Sequence, residues 1–375
     1  MKVLLSGGGT GGHVYPAVCI GKAIKKKIED TELLFVGTRK GMEMDIVPRE
    51  GIQIRTIRIR GLKRAVSVDN LKAVLEVFTS LNEARRIIKD FKPDLVVGTG
   101  GYVCGPVLLA ASLMGIPTLI HEQNAAPGIT NRILSGFVER VAVTYEGTEK
   151  HFKNPEKVFV SGNPIRESFH VFSREDGLVA LGLDPRKPLV LVTGGSLGAK
   201  SINLAVARLA KECFEKGEFQ LFHVTGSNTY EMVRERYRDL GINELEKGDI
   251  RIVPYLNKMA EALCSASLVI GRSGAGILAE MAVAGSPAIL VPYPYATNNH
   301  QEMNGRAFEA AGGGIVLLEK ELSEDSLYDI AMGLLKDPNK LRQMSESAKA
   351  YSKPDSAAFI ADEAIRMVES RRGAK

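Results

Sequence analysis

The sequence predicts an α/β protein built from two doubly wound, Rossmann-like domains facing an interdomain cleft. Three observations carry that expectation. The chain has 375 residues, enough for two domains at ordinary domain sizes. Short apolar runs alternate along it with stretches whose apolar residues recur at three and four spacing, the mark of a parallel sheet covered on both faces. Each half opens in the same way, a strand running into glycines: LLSGGGTGG near the start and LVTGGSLGAKS near the middle.

Taken in order, the first set of strands is expected at Val3–Leu5, Leu33–Val36, Ile52–Ile57, Leu95–Val97, Thr118–Ile120 and Val158–Val160. A long helical pattern runs from Leu71 to Phe91. The rhythm restarts at Leu189–Val192 and continues through Phe219–His223, Ile250–Val253, Leu268–Ile270 and Ala288–Val291. Between the two sets, Arg166 to Pro188 is more polar and carries Pro185 and Pro188, so the linker is expected there. The expected division is 1–165, 166–353, and a terminal helix within 354–375 that packs back on the first domain.

Bulk properties narrow the class. Apolar residues make up 45% and charged residues 25%, ordinary for a globular α/β chain. The net charge of +5 is spread along the chain and does not form a nucleic-acid stripe, whereas it suits an anionic membrane surface or a phosphorylated substrate as well as plain solubility. Four isolated cysteines without a CxxC pair point to buried thiols in a reducing compartment. The start has no signal-peptide pattern and no apolar run approaches a membrane span, so membrane contact is expected to be peripheral.

The chemistry concentrates at strand ends. In SGGGTGGHVYP the glycines permit a tight turn and close approach of a ligand, and the helix that follows turns its free N–H groups toward an anion. Gly7-x-Gly9-x-x-Gly12 formally fits a dinucleotide fingerprint, but the second strand ends FVGTRK with no carboxylate for a ribose. Arg39 leaves NADP open. His13, on the first turn of that helix, is disfavoured as imidazolium by the dipole and can serve as a general base; a packing or capping histidine is the plainer alternative. Thr193-Gly194-Gly195-Ser196-Leu197-Gly198-Ala199 can cradle a pyrophosphate, or merely make a capped turn. In GRSGAGILAE, Glu280 falls one to two turns into a helix, where a carboxylate can accept from the vicinal hydroxyls of a ribose; a solvated glutamate is the ordinary alternative. The amide-rich PYPYATNNHQEMN suits a neutral polyol or is an exposed loop. GTGGYV and HEQN follow two further strands and should share the carboxyl edge of the sheet with His13. His121-Glu122 lacks the second histidine of a zinc site, and no Asp-x-Asp occurs, so a metal site is not expected.

Taken together, GGGTGGHVYPA, GTGGYVCGP, HEQNAAPGITN, SGNPIR, TGGSLGAKSIN, RSGAGILAE and PYATNNHQEMNG, in this order, closely resemble the MurG family. These are the GT-B glycosyltransferases that move N-acetylglucosamine (GlcNAc) from UDP-GlcNAc to the C4 hydroxyl of lipid I, MurNAc-(pentapeptide)-pyrophosphoryl-undecaprenol. The product is lipid II, in peptidoglycan synthesis. The resemblance implies an inverting transfer without metal or other cofactor. It implies a donor site made of Thr10, Gly11, Gly12, Asn124, Arg166, Ser196, Leu256, Ala275, Gly276, Ile277, Glu280 and Gln301. His13 becomes the candidate catalytic base, and Gly9, Gly100, Gly101 and Tyr102 the cradle of the acceptor diphosphate. The family often has two glutamines where this chain has His300-Gln301, so the first of those roles stays open. The implied setting is peripheral, on the cytoplasmic face of the plasma membrane. The implied partners are an anionic lipid surface and other cell-wall synthesis or division proteins, and no nucleic acid. Gly61-Leu62-Lys63-Arg64-Ala65-Val66, with Leu71, Val74, Leu75, Phe78 and Leu81 beyond it, is the expected contact, although such a stripe is also what a core-facing helix shows.

Three other readings remain at this stage: an NADP-dependent oxidoreductase, a nucleotide-sugar-binding subunit without catalysis, and a sugar-nucleotide epimerase of similar fold.

Overall fold

The computed structural model describes residues 1–59, 68–170, 172–195, 197–243, 245 and 248–373; the side chains of 68–77 and 170 also lie outside the description. Contacts divide the chain into two compact units, Met1–Arg166 with Lys353–Lys375, and Glu167–Ser352.

The first unit runs β1 (Lys2–Ser6), α1 (Gly11–Lys27), β2 (Glu32–Gly37), α2 (Glu43–Arg49), β3 (Gln53–Thr56), α3 (Val68–Phe91), β4 (Leu95–Gly98), α4 (Cys104–Leu113), β5 (Thr118–Glu122), α5 (Ile129–Leu134), β6 (Arg140–Val143) and β7 (Val158–Val160). The strands form one parallel sheet in the order β3-β2-β1-β4-β5-β6-β7. β1 is central, and Val3, Leu4 and Leu5 are wholly buried. Alternate residues serve opposite faces: Leu4 joins the cluster under α3 and α4, and Val3 and Leu5 the cluster under α1. Burial of each such side chain stabilises by about 1.5–3 kcal/mol.

The second unit runs α6 (Arg174–Leu181), β8 (Leu189–Thr193), α7 (Lys200–Ala205), α8 (Ala207–Lys216), β9 (Gln220–Val224), α9 (Tyr230–Asp239), β10 (Ile250–Val253), α10 (Met259–Ser265), β11 (Leu268–Gly271), α11 (Ala275–Ala284), β12 (Ala288–Leu290), α12 (His300–Ala310), β13 (Gly314–Val316), α13 (Glu324–Leu335) and α14 (Pro338–Tyr351). Its parallel sheet has the order β10-β9-β8-β11-β12-β13. Helix stops are conventional: α6, α8 and α11 end on Gly182, Gly217 and Gly285 in the left-handed conformation.

After α14 the chain returns to the first unit as α15 (Ser356–Gly373). Ile360, Ala361, Ala364 and Val368 join the cluster beneath α1, and Phe359 packs edge-on to Phe159 of β7. Arg371 donates to Gly115 O and Glu139, and Arg372 to Asp94.

The two sheets have the doubly wound architecture expected. Two strands were not anticipated, β6 and β13. β6 is a short Val-Ala-Val run opened by a charge, and β13 begins on Gly314, the last of three glycines, with its apolar run of 315–318 extending beyond the strand.

Candidate active site

In a doubly wound sheet the strand order reverses at one point, and loops diverge there to leave a crevice at the carboxyl edge. In the first unit that point lies between β1 and β4, so the turns after those strands, residues 7–10 and 99–103, flank it. They meet backbone to backbone. Gly8 N–H donates to Gly100 O at 3.3 Å. A Cβ on Gly101 would come within 2.5 Å of Gly8 O, and one on Gly7 within 2.4 Å of Thr99 Oγ1. Gly9, Gly100 and Gly101 all have positive φ (+90°, +105° and +84°), which glycine adopts without penalty. Buried Thr99 ties the two turns further, its hydroxyl donating to His13 O at 2.6 Å.

α1 begins beyond Thr10, and His13 lies on its first turn, half-buried. The ring Nδ1 is 3.0 Å from Gly8 O. A carbonyl can only accept, so Nδ1 carries the hydrogen and Nε2 of the neutral ring keeps its lone pair. The Nε2 edge faces Gly100, where a Cβ would sit 3.2 Å from Nε2. The turn after β4 is therefore glycine at the place where a side chain would crowd the ring. Cys104, beside it, lies 3.0 Å from both Ser6 O and Gly100 O, and burial pushes its thiol up to about 11, which leaves it unreactive.

β5 ends in His121 and Glu122, both buried. His121 Nε2 is 2.9 Å from Gly162 O and Nδ1 is 3.0 Å from Gln123 Nε2. Burial lowers its pKa to about 4, so the ring is a neutral brace. Glu122 accepts from Asn124 N–H and Nδ2, Gly128 N–H and Asn131 Nδ2 at 2.8–3.1 Å. That carboxylate folds the 123–128 loop around itself and sets the position of Asn124. Arg166, beyond β7, stacks its guanidinium 5.0 Å over the ring of Tyr15 on α1. Tyr102 is exposed on the rim of its turn.

In the second unit the reversal lies between β8 and β11. The turn after β8 has positive φ at Gly195 and Gly198, and Gly198 packs against Thr225 and Gly226 as closely as Gly8 packs against Gly101. Ser196 lies outside the described residues. After β11, Gly274 precedes α11, whose first turn is Ala275, Gly276 and Ile277; open space lies above Gly276. Glu280 is on the second turn, half-buried. Leu256, half-buried, is in the loop after β10. Gln301 lies on the first turn of α12; its Oε1 accepts from Tyr293 N–H at 3.0 Å, and its carbonyl accepts from Ser273 Oγ at 2.8 Å. The turn after β12 is thereby fastened to the turn after β11. Arg272 adds to this, donating to Val291 O, Pro292 O, Glu319 and Ser201 Oγ. His300 is occupied by Thr297 O, 2.6 Å from Nδ1.

The structure thus gathers Gly9–His13, Gly100–Tyr102, Asn124 and Arg166 along the carboxyl edge of the first sheet. It gathers Leu256, Ala275–Ile277, Glu280 and Gln301 along that of the second. Side-chain contacts directly join only some of them, and Leu256 stands two strands away from the β8–β11 reversal. Sequence reasoning missed Glu43, which accepts from Gly9 N–H, and, though it singled out the segments that hold them, the clamping roles of Thr99, Asn131 and Arg272. Polar residues within apolar surroundings were their one signal. Of the expected lipid contact, residues 61–66 and the side chains of Leu71, Lys72, Val74 and Leu75 lie outside the described residues. Phe78 on α3 is 63% exposed, and Leu81 packs against the core.

Comparison with known proteins follows this division. The model of the glycosyltransferase family 28 N-terminal domain matches residues 3–143, and that of the family 28 C-terminal domain residues 189–360. A relative from Acetivibrio thermocellus is 51% identical over 93% of this chain and 94% of its own. It is named UDP-N-acetylglucosamine–N-acetylmuramyl-(pentapeptide) pyrophosphoryl-undecaprenol N-acetylglucosamine transferase. The crystal structure of Acinetobacter baumannii MurG is 28% identical, with a TM-score of 0.77 over 97% of this chain and 99% of that one. A UDP-GlcNAc 2-epimerase from Neisseria meningitidis has a TM-score of 0.71 over 98% of this chain and 100% of its own, at 16% identity, a likeness of fold alone.

Proposed function

The chain belongs to glycosyltransferase family 28, and on that premise we infer how its residues move a sugar. The enzyme is a UDP-GlcNAc-dependent N-acetylglucosaminyltransferase of peptidoglycan synthesis. It transfers GlcNAc to MurNAc-(pentapeptide)-pyrophosphoryl-undecaprenol, lipid I, to give lipid II.

In our reading the transfer is one inverting displacement. His13 Nε2 takes the proton of the acceptor C4 hydroxyl. The freed electron pair forms the bond to the GlcNAc anomeric carbon. The bond from that carbon to the UDP oxygen breaks, UDP leaves with the pair, and the proton passes from the imidazole to water. The observation that carries this reading is the His13 ring itself. Its Nδ1–H is spent on Gly8 O, and its Nε2 is left as the acceptor, beside the crevice. General-base help of this kind contributes typically ~10²–10⁴-fold.

The acceptor diphosphate is assigned to the turns of Gly9 and Gly100–Tyr102; open space lies beside Gly9. The donor is assigned to the second unit. There Ser196 and the following amides meet the leaving diphosphate, Leu256 meets the uracil, Ala275–Ile277 line the nucleotide, Glu280 accepts from the ribose hydroxyls, and Gln301 reads the sugar. Thr10–Gly12, Asn124 and Arg166 are assigned to the donor sugar. Amides rather than a metal offset the developing charge in this scheme. Among the described residues no group of three or more His, Cys, Asp or Glu side chains is placed to hold an ion. A polyprenyl acceptor calls for peripheral attachment at the cytoplasmic face of an anionic membrane. Exposed Phe78 supports a contact there, and no described helix is long and apolar enough to cross a bilayer.

The test is incubation with UDP-GlcNAc and a short-chain lipid I analogue. UDP release that requires the analogue, with GlcNAc on its MurNAc unit, is expected. UDP release indifferent to the acceptor, or an epimerised sugar nucleotide, overturns the reading.

A further inference from the structure

Glu43 is wholly buried at the start of α2, and it holds no salt bridge among the described residues. Its Oε1 accepts from Thr38 N–H at 2.8 Å and Thr38 Oγ at 2.7 Å, and its Oε2 accepts from Gly9 N–H at 3.2 Å. The cavity that holds it exists only because three neighbours lack side chains. A Cβ on Gly8, Gly37 or Gly41 would lie 2.9, 2.6 or 1.9 Å from a Glu43 atom. A carboxylate has been given a fitted place against the first glycine turn.

What it holds there is one peptide unit. Gly9 N–H and Gly8 C=O belong to the same amide, and no peptide bond in the described chain is cis, so the two groups point in opposite directions. The N–H end meets Glu43 and the C=O end meets His13 Nδ1. We propose that Glu43, Gly8–Gly9 and His13 form a carboxylate–peptide–imidazole relay, in which Glu43 is a positioning residue for the base. It fixes the plane of the peptide and hence the ring tautomer. It also polarises the amide, so that the carbonyl becomes a stronger acceptor and the imidazole a better base. Chained hydrogen bonds strengthen each other by ~10–30%. The inference rests on His13 being the base.

The other titratable or charged groups on the packed elements are engaged elsewhere or exposed. Asp45 pairs with Arg49. Cys104 faces the Ser6 and Gly100 carbonyls, His121 the Gly162 carbonyl, and Glu122 its four donors. Arg166 lies over Tyr15, and Arg39, Lys40 and Tyr102 are exposed.

The experiment compares the full chain with Glu43→Gln, which keeps the volume and removes the charge. Nitrogen spectra of 15N-histidine-labelled protein read the tautomer, and kcat and KM are followed against pH. The Nδ1–H form is expected to dominate in the unaltered enzyme, and Glu43→Gln is expected to shift the ring toward Nε2–H. The pH profile of kcat/KM should change with it. kcat should fall about tenfold, with KM for UDP-GlcNAc within about twofold. An unaltered enzyme with Nε2–H dominant, or a Glu43→Gln variant with unchanged tautomer and profile, overturns the relay. Should Glu43→Gln not fold, Thr38→Val, which only loosens the carboxylate, must give the same shifts in smaller measure, and no shift overturns the proposal. The two failures are separable: undiminished turnover in His13→Ala overturns the base assignment, whereas an unmoved tautomer overturns the role of Glu43.

Discussion

Replacing Gly101 by Ala isolates the contact between the two glycine turns, provided Gly9→Ala is measured beside it. Both positions have φ near +90°, so both variants incur the left-handed penalty of about 1–2 kcal/mol. They differ in space. A Cβ at Gly9 has nothing within 4 Å, whereas one at Gly101 falls 2.5 Å from Gly8 O and 3.1 Å from Gly8 C and N, backbone atoms that cannot rotate away. Forcing atoms into such a contact costs a further ~1–3 kcal/mol. The totals are about 1–2 kcal/mol for Gly9→Ala and about 2–5 kcal/mol for Gly101→Ala. At ~2–4 °C per kcal/mol for a domain of this size, Gly101→Ala should melt between about 4 and 20 °C lower than the unaltered chain. Gly9→Ala should melt only about 2 to 8 °C lower. Because the displaced atom is the carbonyl that holds His13, Gly101→Ala should also lose kcat at temperatures where it remains folded. Thermal denaturation followed by circular dichroism, with initial rates at 20 °C, checks both. Equal melting temperatures for the two variants would refute the argument, since the steric difference would then have no energetic consequence.

His13→Ala should lower kcat by ~10²–10⁴-fold while UDP affinity, measured by calorimetry, is retained. UDP at a hundredfold over its Kd should stabilise the chain by about 2.7 kcal/mol in a thermal-shift assay, and NADP should not; the reverse order would favour the oxidoreductase reading. His121 and His223, both fully buried, have pKa values lowered by burial to about 4 and about 3. Because the folded values lie below the unfolded value near 6.5, their neutral forms contribute stability that is complete above about pH 6.5. It is lost as pH falls from there toward 4 and 3, a total of the order of several kcal/mol. Melting temperatures should therefore drop between pH 7 and pH 5, and His223→Gln should flatten part of that slope; a flat wild-type profile would show that the two rings are not buried neutral.

The sheets were legible because central strands of a parallel sheet are apolar on both faces. Val3–Leu5 and Leu189–Val192 announce themselves without help from their neighbours. β6 and β13 do not, since a strand near the sheet edge tolerates Arg140 at one end and can be three residues long. At the candidate site, the residues readable in sequence were those in dense local runs, the glycines and His13. Glu43 was not. It stands 30 residues from the histidine it serves, in a segment, GMEMDIVPRE, that reads as an ordinary amphipathic helix start. Only the folded chain shows that Gly8, Gly37 and Gly41 make room for it. Thr99 and Arg272 escaped for the same reason: a clamp is defined by what it reaches across, and its partners are distant in sequence.

The return of α15 to the first unit carries a consequence for biosynthesis. Val14, Ala17 and Val18 share a cluster with Ile360, Ala364 and Val368, so two segments separated in the chain by the whole second unit share one core. As the chain leaves the ribosome, the amino-terminal sheet must wait, with one greasy flank uncovered, through translation of the whole intervening unit. Holding factors have their longest opportunity on that flank, and a premature stop before residue 356 would strand it permanently.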